Sequence, residues 1–128
     1  MNPFVQSGLV ALGAAVGANM RYWIGYLAKA STQPWPWPTM LINILGSIIL
    51  GVFAAASIER GWGDGWKLLI AVGLCGGFTT FSTFSFETVD LILQKNYGVA
   101  GGYMIGSLTL CIGGCFLGGH FAAIAFRR

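Results

Sequence analysis

The sequence predicts an all-α membrane protein with four transmembrane helices, the third of which is broken near its middle. Hydrophobic residues make up 55% of the 128 residues, charged residues only 9%, and the mean hydropathy is +0.72. A soluble domain carries about 25% charged residues, so this composition predicts a chain surrounded by lipid. A helix needs about 20 mainly apolar residues to cross a bilayer, and four such stretches use most of the chain.

The chain is predicted to be one transmembrane domain, residues 1–128. Its spans are expected at about 4–28, 39–57, 67–93 and 99–126, each long enough for one crossing. A cleavable signal peptide is not expected, because the N-terminus lacks a basic region and further spans follow its first apolar stretch.

The connection between the first two spans, residues 31–38, alternates prolines with Trp35 and Trp37. Prolines at this spacing oppose a helix, and tryptophans favour the headgroup region, so an interfacial turn is predicted here. Trp62 and Trp66 mark the opposite interface in the same way.

The third span contains Gly73, Gly76 and Gly77, followed by a run of threonine, serine and phenylalanine at 79–85. A break in a membrane helix exposes backbone carbonyl and N–H groups that can hold ions. A glycine kink that serves only packing explains the pattern about equally well, since glycine is common in membrane helices.

Phe81 and Phe84 are three residues apart and share a helix face, which Phe78 is expected to extend by one turn. Such a stripe ordinarily packs or contacts lipid. The positive edges of two rings could instead hold an anion, with Ser82 and Thr83 supplying hydroxyl donors.

Asn43 is the one strongly polar side chain of the second span and either bonds to another helix or lines a path. Tyr103 and Ser107 lie one turn apart on the fourth span, with Cys111 a turn further, and this stripe either packs against another helix or lines a pathway.

Small residues at four-residue spacings on the fourth span predict close helix approach; they are Gly102, Gly106, Gly114, Gly118 and Ala122. Glu87 is expected near a helix end, in contact with water.

Several classes of function are disfavoured. The seven Lys and Arg residues form no run that could follow a phosphate backbone, so no nucleic-acid partner is expected. The three cysteines lack zinc-ligand spacing and are interpreted as packing residues. No acid, base and nucleophile converge by spacing, so the chain is not expected to be an enzyme.

The charge distribution scarcely fixes an orientation. With four crossings, Arg60, Lys67 and the two terminal arginines lie on one side, opposite Lys29 and Lys95. If Arg21 reaches the second side, the positive charges nearly balance, so insertion in both directions is conceivable.

Three segments of the sequence resemble the Fluc family of small bacterial fluoride channels, and the resemblance covers the whole chain. They are residues 17–22, which include Arg21, residues 43–47 and, most specifically, residues 76–87. One departure is Pro38-Thr39-Met40, where Gly-Thr-Leu is expected.

The resemblance implies an antiparallel, dual-topology homodimer in the lipid of the bacterial inner membrane. It would export fluoride passively, through two pathways, and relieve fluoride toxicity. A structural sodium ion, not itself transported, would bind the carbonyls of Gly76 and Thr79. The pathway would include Phe81, Phe84 and Asn43, with Tyr103 and Ser107 on the fourth span and Arg21 as a possible entrance charge.

The alternative is a small proton-coupled multidrug exporter, which also has four spans and is often dual in topology. It would need a carboxylate embedded in the membrane, whereas the charge within the first span is Arg21. A third alternative, an assembly subunit without transport, accounts for the glycines but not for the run at 79–85.

Overall fold

The computed structural model describes residues 1–28 and 35–127, and these ranges contain helices and no strand. We number five helices: α1 (Pro3–Ala28), α2 (Trp37–Arg60), α3 (the consecutive segments Asp64–Trp66, Lys67–Cys75 and Gly76–Phe78), α4 (Phe81–Leu93) and α5 (Tyr97–Phe126). They correspond to the four predicted stretches, the third divided into α3 and α4. The predicted all-α fold with a broken third helix is therefore confirmed.

Three helices are long and apolar enough to cross a membrane: Trp37–Arg60, Asp64–Leu93 with its break included, and Tyr97–Phe126. Their mean hydropathies are 2.2, 1.5 and 1.7. The helix α1 is not in this set, although it has 26 residues. Gln6, Asn19 and Arg21 lower its apolar character.

The helix α2 begins earlier than the sequence predicts, because Trp37 and Pro38 belong to its first turn. Proline is tolerated there, since the first N–H groups of a helix have no partner within the helix. The predicted interfacial turn therefore ends before Trp37, and its residues 31–34 lie outside the described residues. At the other end Gly61, with φ 65°, adopts the left-handed conformation that commonly ends a helix.

The helices pack as two interleaved pairs, since α1 lies mainly against α3 and α2 mainly against α5. Glycines let the backbones touch in both pairs. A Cβ atom at Gly13 of α1 would overlap the carbonyl oxygen of Leu69, and one at Gly51 of α2 would overlap that of Cys115. Close approach of this kind, rather than hydrophobic burial, stabilises helix pairs in lipid.

The predicted small-residue ridge of α5 is confirmed along most of its length. Gly114 and Gly118 face Ile48 of α2, while Gly106 faces Met40 and Gly102 faces the ring of Trp35. The opposite face of α5 is exposed in the single chain, with Ile112 at 68% and Phe116 at 70%. An exposed apolar face suits contact with lipid or with another protein surface.

Candidate functional site

The break between α3 and α4 consists of two residues, Thr79 and Thr80, whose backbones are extended with ψ of 158° and 112°. The sequence predicted a wider interruption that began at Gly73 and ran through the serine and threonine run. That prediction is wrong in extent, because Gly73, Gly76 and Gly77 are helical and α4 resumes at Phe81. At Gly73 and Gly77 the missing side chain serves close packing: a Cβ atom at Gly77 would lie 2.8 Å from the Cα atom of Ala14, whereas one at Gly76 would meet open space.

The side chain of Asn43, on α2, hydrogen-bonds to the backbone of the break. Its side-chain amide donates to the Thr80 carbonyl at 3.0 Å, and its Oδ1 accepts from the Thr80 N–H at 2.7 Å. Both backbone groups of an extended residue are thus satisfied by one side chain. The interhelical hydrogen bond that the sequence left open for Asn43 is therefore present, and a primary amide retains a second N–H donor.

The carbonyls of Gly76 and Thr79 are among those at the break that lose their usual helical donors. In a continuous helix the Gly76 carbonyl would accept from the Thr80 N–H, which instead donates to Asn43. The Thr79 carbonyl would accept from the Thr83 N–H, which instead donates to the Thr80 hydroxyl at 3.2 Å. These are the two residues at which the family resemblance implies carbonyl ligands for a sodium ion.

Hydroxyl groups surround the start of α4. Thr80 caps the helix, and its Oγ1 lies 2.9 Å from that of Thr83 and 3.3 Å from that of Ser82. Ser82 is exposed, whereas Thr83 is half-buried. The start of a helix carries a partial positive charge, so hydroxyl and N–H donors here favour an anion.

Phe81 and Phe84 form a ring pair with centroids 5.5 Å apart and planes inclined by 45°. Phe84 is buried and also packs on the Tyr103 ring at 5.1 Å, whereas Phe81 is 73% exposed. The prediction that Phe78 extends this stripe is wrong, because Phe78 precedes the break and only 2% of it is exposed. The two extended residues interrupt the helical periodicity on which that prediction relied.

A carboxylate lies beside these rings. Glu87 accepts a hydrogen bond from the Tyr103 hydroxyl at 2.7 Å through one oxygen and from the Thr39 hydroxyl at 2.8 Å through the other. The prediction that Glu87 lies near a helix end, in contact with water, is wrong, because Glu87 lies midway along α4 and is half-buried. Locating the break at Thr80 would have indicated this, since Glu87 follows it by two helical turns.

Two cavities adjoin the break, and Thr80 lines both. The first, which we call the break cavity, has a volume of about 330 Å³ and is lined chiefly by Asn43, Ser47, Cys75, Gly76, Thr79, Thr80, Phe81, Phe84, Ser107 and Cys111. The second, the carboxylate cavity, has a volume of about 340 Å³ and is lined by Arg21, Thr39, Thr80, Thr83, Glu87 and apolar neighbours. Every residue singled out from the sequence as a site candidate except Ser82 and Tyr103 lines one of the two cavities, and Tyr103 bonds to Glu87.

Two polar atoms at these cavities are buried without a partner among the described residues: the Ser107 hydroxyl and the Arg21 Nε. Buried donors are normally hydrogen-bonded, because a buried donor without a partner costs about 1–3 kcal/mol of stability. A donor in each cavity is therefore available to a ligand, to water or to another chain.

The apolar helices, the break fastened by a side chain and the polar cavities on either side define the chain as a small multi-pass helical membrane protein. The family described as "CrcB-like protein, Camphor Resistance (CrcB)" matches residues 8–119, and the chain belongs to this family.

Curated relatives extend the match to nearly the whole chain. The chain is 41% identical over 124 residues to the "Fluoride-specific ion channel FluC" of Paramagnetospirillum magneticum, which covers 94% of this chain and 96% of the relative. It is 42% identical over 125 residues to the protein of the same name from Rhodospirillum rubrum, with 93% and 95% covered. The resemblance drawn from residues 17–22, 43–47 and 76–87 is thereby confirmed.

Proposed function

We propose that this chain is a fluoride-selective ion channel that exports fluoride passively across the bacterial inner membrane and so relieves fluoride toxicity. The observation that carries the proposal is the break itself, where Thr80 lines both cavities, the phenylalanine pair lines the break cavity and Thr83 lines the carboxylate cavity. Its relatives are named as fluoride-specific ion channels. No enzymatic role is proposed.

Fluoride is small and strongly hydrated, so a pore must replace its water with other donors and yet release the ion. In the break cavity hydroxyls, one amide and ring edges do this, with no cationic side chain among the described lining residues to hold the ion tightly. Thr80, Thr83 and Ser82 supply the hydroxyls, and the second N–H of Asn43 supplies the amide donor.

The proposed route begins in the carboxylate cavity, where the guanidinium of Arg21 attracts an anion and offsets the charge of Glu87. It passes Thr80 and Thr83, which line that cavity, and the edges of Phe81 and Phe84. It ends in the break cavity at Ser107, whose hydroxyl needs an acceptor. Tyr103 contributes by holding the Glu87 carboxylate.

We infer that two copies of opposite orientation form the functional unit. In the single chain Phe81 is 73% exposed, although a ring that guides an anion needs a wall on its other side. The near balance of Lys and Arg between the two sides supports insertion in both directions. Lipid covers the remaining apolar faces.

The arrangement requires four crossings, so α1 must span as well. Its 26 residues extend about 39 Å at 1.5 Å per residue, which exceeds a bilayer core of about 30 Å. Arg21 lies within seven residues of its C-terminal end and, like Asn19, would face the protein or the interface rather than lipid.

We also propose a structural sodium ion at the carbonyls of Gly76 and Thr79. Backbone oxygens at the end of a half-helix suit sodium, and these two have lost their helical donors. The ion would neutralise the partial negative charge at the end of α3. Activity that survives thorough replacement of sodium by a large organic cation would contradict this part of the proposal.

The deciding experiment is ion efflux from liposomes that contain the purified protein, with fluoride and chloride compared in parallel. Fluoride should leave rapidly without a proton gradient, and chloride should stay. Equal passage of both ions would refute fluoride selectivity. Efflux that requires a proton gradient would favour the exporter alternative, for which Glu87 is the embedded carboxylate.

A further inference from the structure

Trp35 lies just before α2 and directs its polar atom into the protein. Its indole Nε1 donates to the Met40 sulfur at 3.3 Å. A tryptophan that only anchors a helix at the membrane surface places its N–H among headgroups and water. The inward hydrogen bond therefore indicates a role beyond anchoring.

Trp35 also contacts the ring of Tyr103. The two rings meet edge to face, with centroids 6.1 Å apart and planes inclined by 82°. Gly102 makes this position possible, because a Cβ atom there would lie 3.2 Å from both Cη2 and Cζ3 of the indole. The indole thus occupies a space that a side chain on α5 would narrow.

Tyr103 in turn has little freedom. It is 0% exposed, its ring lies between Trp35 and Phe84, and its hydroxyl donates to Glu87 at 2.7 Å. The position of the hydroxyl oxygen follows from the orientation of the ring, because the C–O bond extends along the ring axis. Whatever fixes the ring therefore fixes one of the two hydrogen bonds that orient the Glu87 carboxylate.

We propose that Trp35, held by Met40, is a positioning residue that fixes the Tyr103 ring so that its hydroxyl holds the Glu87 carboxylate in the orientation that permits fluoride flux. This inference rests on the proposed channel function. Trp35 acts on the ion through Tyr103 and Glu87. In this chain Met40 stands where the resemblance expects leucine, and its sulfur supplies the acceptor for the indole N–H.

The test is a double-mutant cycle in fluoride efflux with Trp35→Leu, Tyr103→Phe and the double variant. Loss of the edge-to-face contact should lower the flux about two- to tenfold, the range by which one aromatic pair shifts an equilibrium. In the Tyr103→Phe background, Trp35→Leu should have almost no further effect, because the hydroxyl it positions is gone. If the two reductions instead multiply, Trp35 acts independently of Tyr103 and the inference is wrong.

A structural role alone would lower stability without this coupling, so each variant is also melted in detergent. Trp35→Phe keeps an aromatic edge and should recover most of the flux, whereas Trp66→Leu, at the opposite end of the helices, should leave it unchanged. If Trp35→Leu does not fold, Gly102→Ala replaces it in the cycle, since the added methyl group displaces the indole by a few tenths of an ångström. Gly102→Ala should lower the flux of the parent protein but should have almost no further effect in the Tyr103→Phe background.

Different results refute the proposed function and the role of Trp35. A parent protein that passes chloride as readily as fluoride refutes the proposed function. A parent that conducts fluoride selectively, with multiplicative losses in the cycle, refutes only the role of Trp35.

Discussion

Replacing Asn43 with alanine should destabilise the folded protein, because one side chain satisfies both backbone groups of Thr80. Side-chain hydrogen bonds between membrane helices contribute about 0.6 kcal/mol on average and about 1.7 kcal/mol at most. Two such bonds predict a loss of about 1–3 kcal/mol in the free energy of unfolding. Titration of the purified protein with SDS in mixed micelles measures it.

Asn19→Ala is the matched control for this prediction. The Asn19 amide donates only within its own helix, to the Ala15 carbonyl at 2.8 Å, and the side chain is exposed. Its loss should change stability by no more than about 0.5 kcal/mol, as for most surface substitutions. If Asn43→Ala is no more costly than Asn19→Ala, Asn43 does not hold the break.

Asn43→Asp distinguishes the stabilising hydrogen bonds of Asn43 from its contribution to the fluoride pathway. The variant keeps an acceptor for the Thr80 N–H but turns a second oxygen toward the Thr80 carbonyl, so it should also lose stability. The charge beside the break would repel an anion as well, so fluoride flux per folded protein should fall further than in Asn43→Ala. Equal flux in the two variants would exclude Asn43 from the pathway.

Three further predictions concern the rings, the orientation and the packing. Phe81→Ile and Phe84→Ile should each lower fluoride flux about tenfold by removing a positive ring edge, while Phe78→Ile should cost stability but conduct. A cysteine placed at Lys95, in a background without the native three, should be labelled from both faces of sealed vesicles. Gly51→Ala should destabilise the α2–α5 pair in SDS titration, because the added methyl group overlaps the Cys115 carbonyl.

Each of these has an outcome that contradicts it. Parental flux in all three phenylalanine variants would make the rings packing residues. Labelling from one face only would exclude opposite orientations. For the packing prediction the control is Gly101→Ala, where the new methyl group meets open space and should be tolerated; equal stability of both glycine variants would show that α2 and α5 can move apart cheaply.

Sequence reasoning located those features that depend on the pattern within one helix. The four apolar stretches, the glycine ridge of α5 and the shared face of Tyr103 and Ser107 follow from composition and periodicity, and the structure adds that both side chains are buried. The break was found too, because glycines followed by hydroxyl residues in an apolar stretch are unusual.

The features that sequence reasoning missed depend on contacts between helices or on the phase of the helix after the break. Thr39 and Glu87 are 48 residues apart in the chain, so no periodicity links them. Phe78 and Phe81 have helical spacing, yet two extended residues between them place one ring in the core and leave the other exposed. A pattern cannot give the angle through which such a break turns the following helix.

The interleaved pairing of the helices has a consequence for biogenesis. The main partner of α1 is α3 and the main partner of α2 is α5, so neither of the first two helices packs mainly against the one that follows it. As the chain emerges from the ribosome, α1 must wait in the bilayer while α2 and α3 are synthesised, and α2 must wait for the last helix. Helices that are individually stable in lipid can wait in this way. The chain would therefore settle its direction of insertion before its tertiary structure exists, and a ribosome stalled after α4 would leave α2 without its main packing partner.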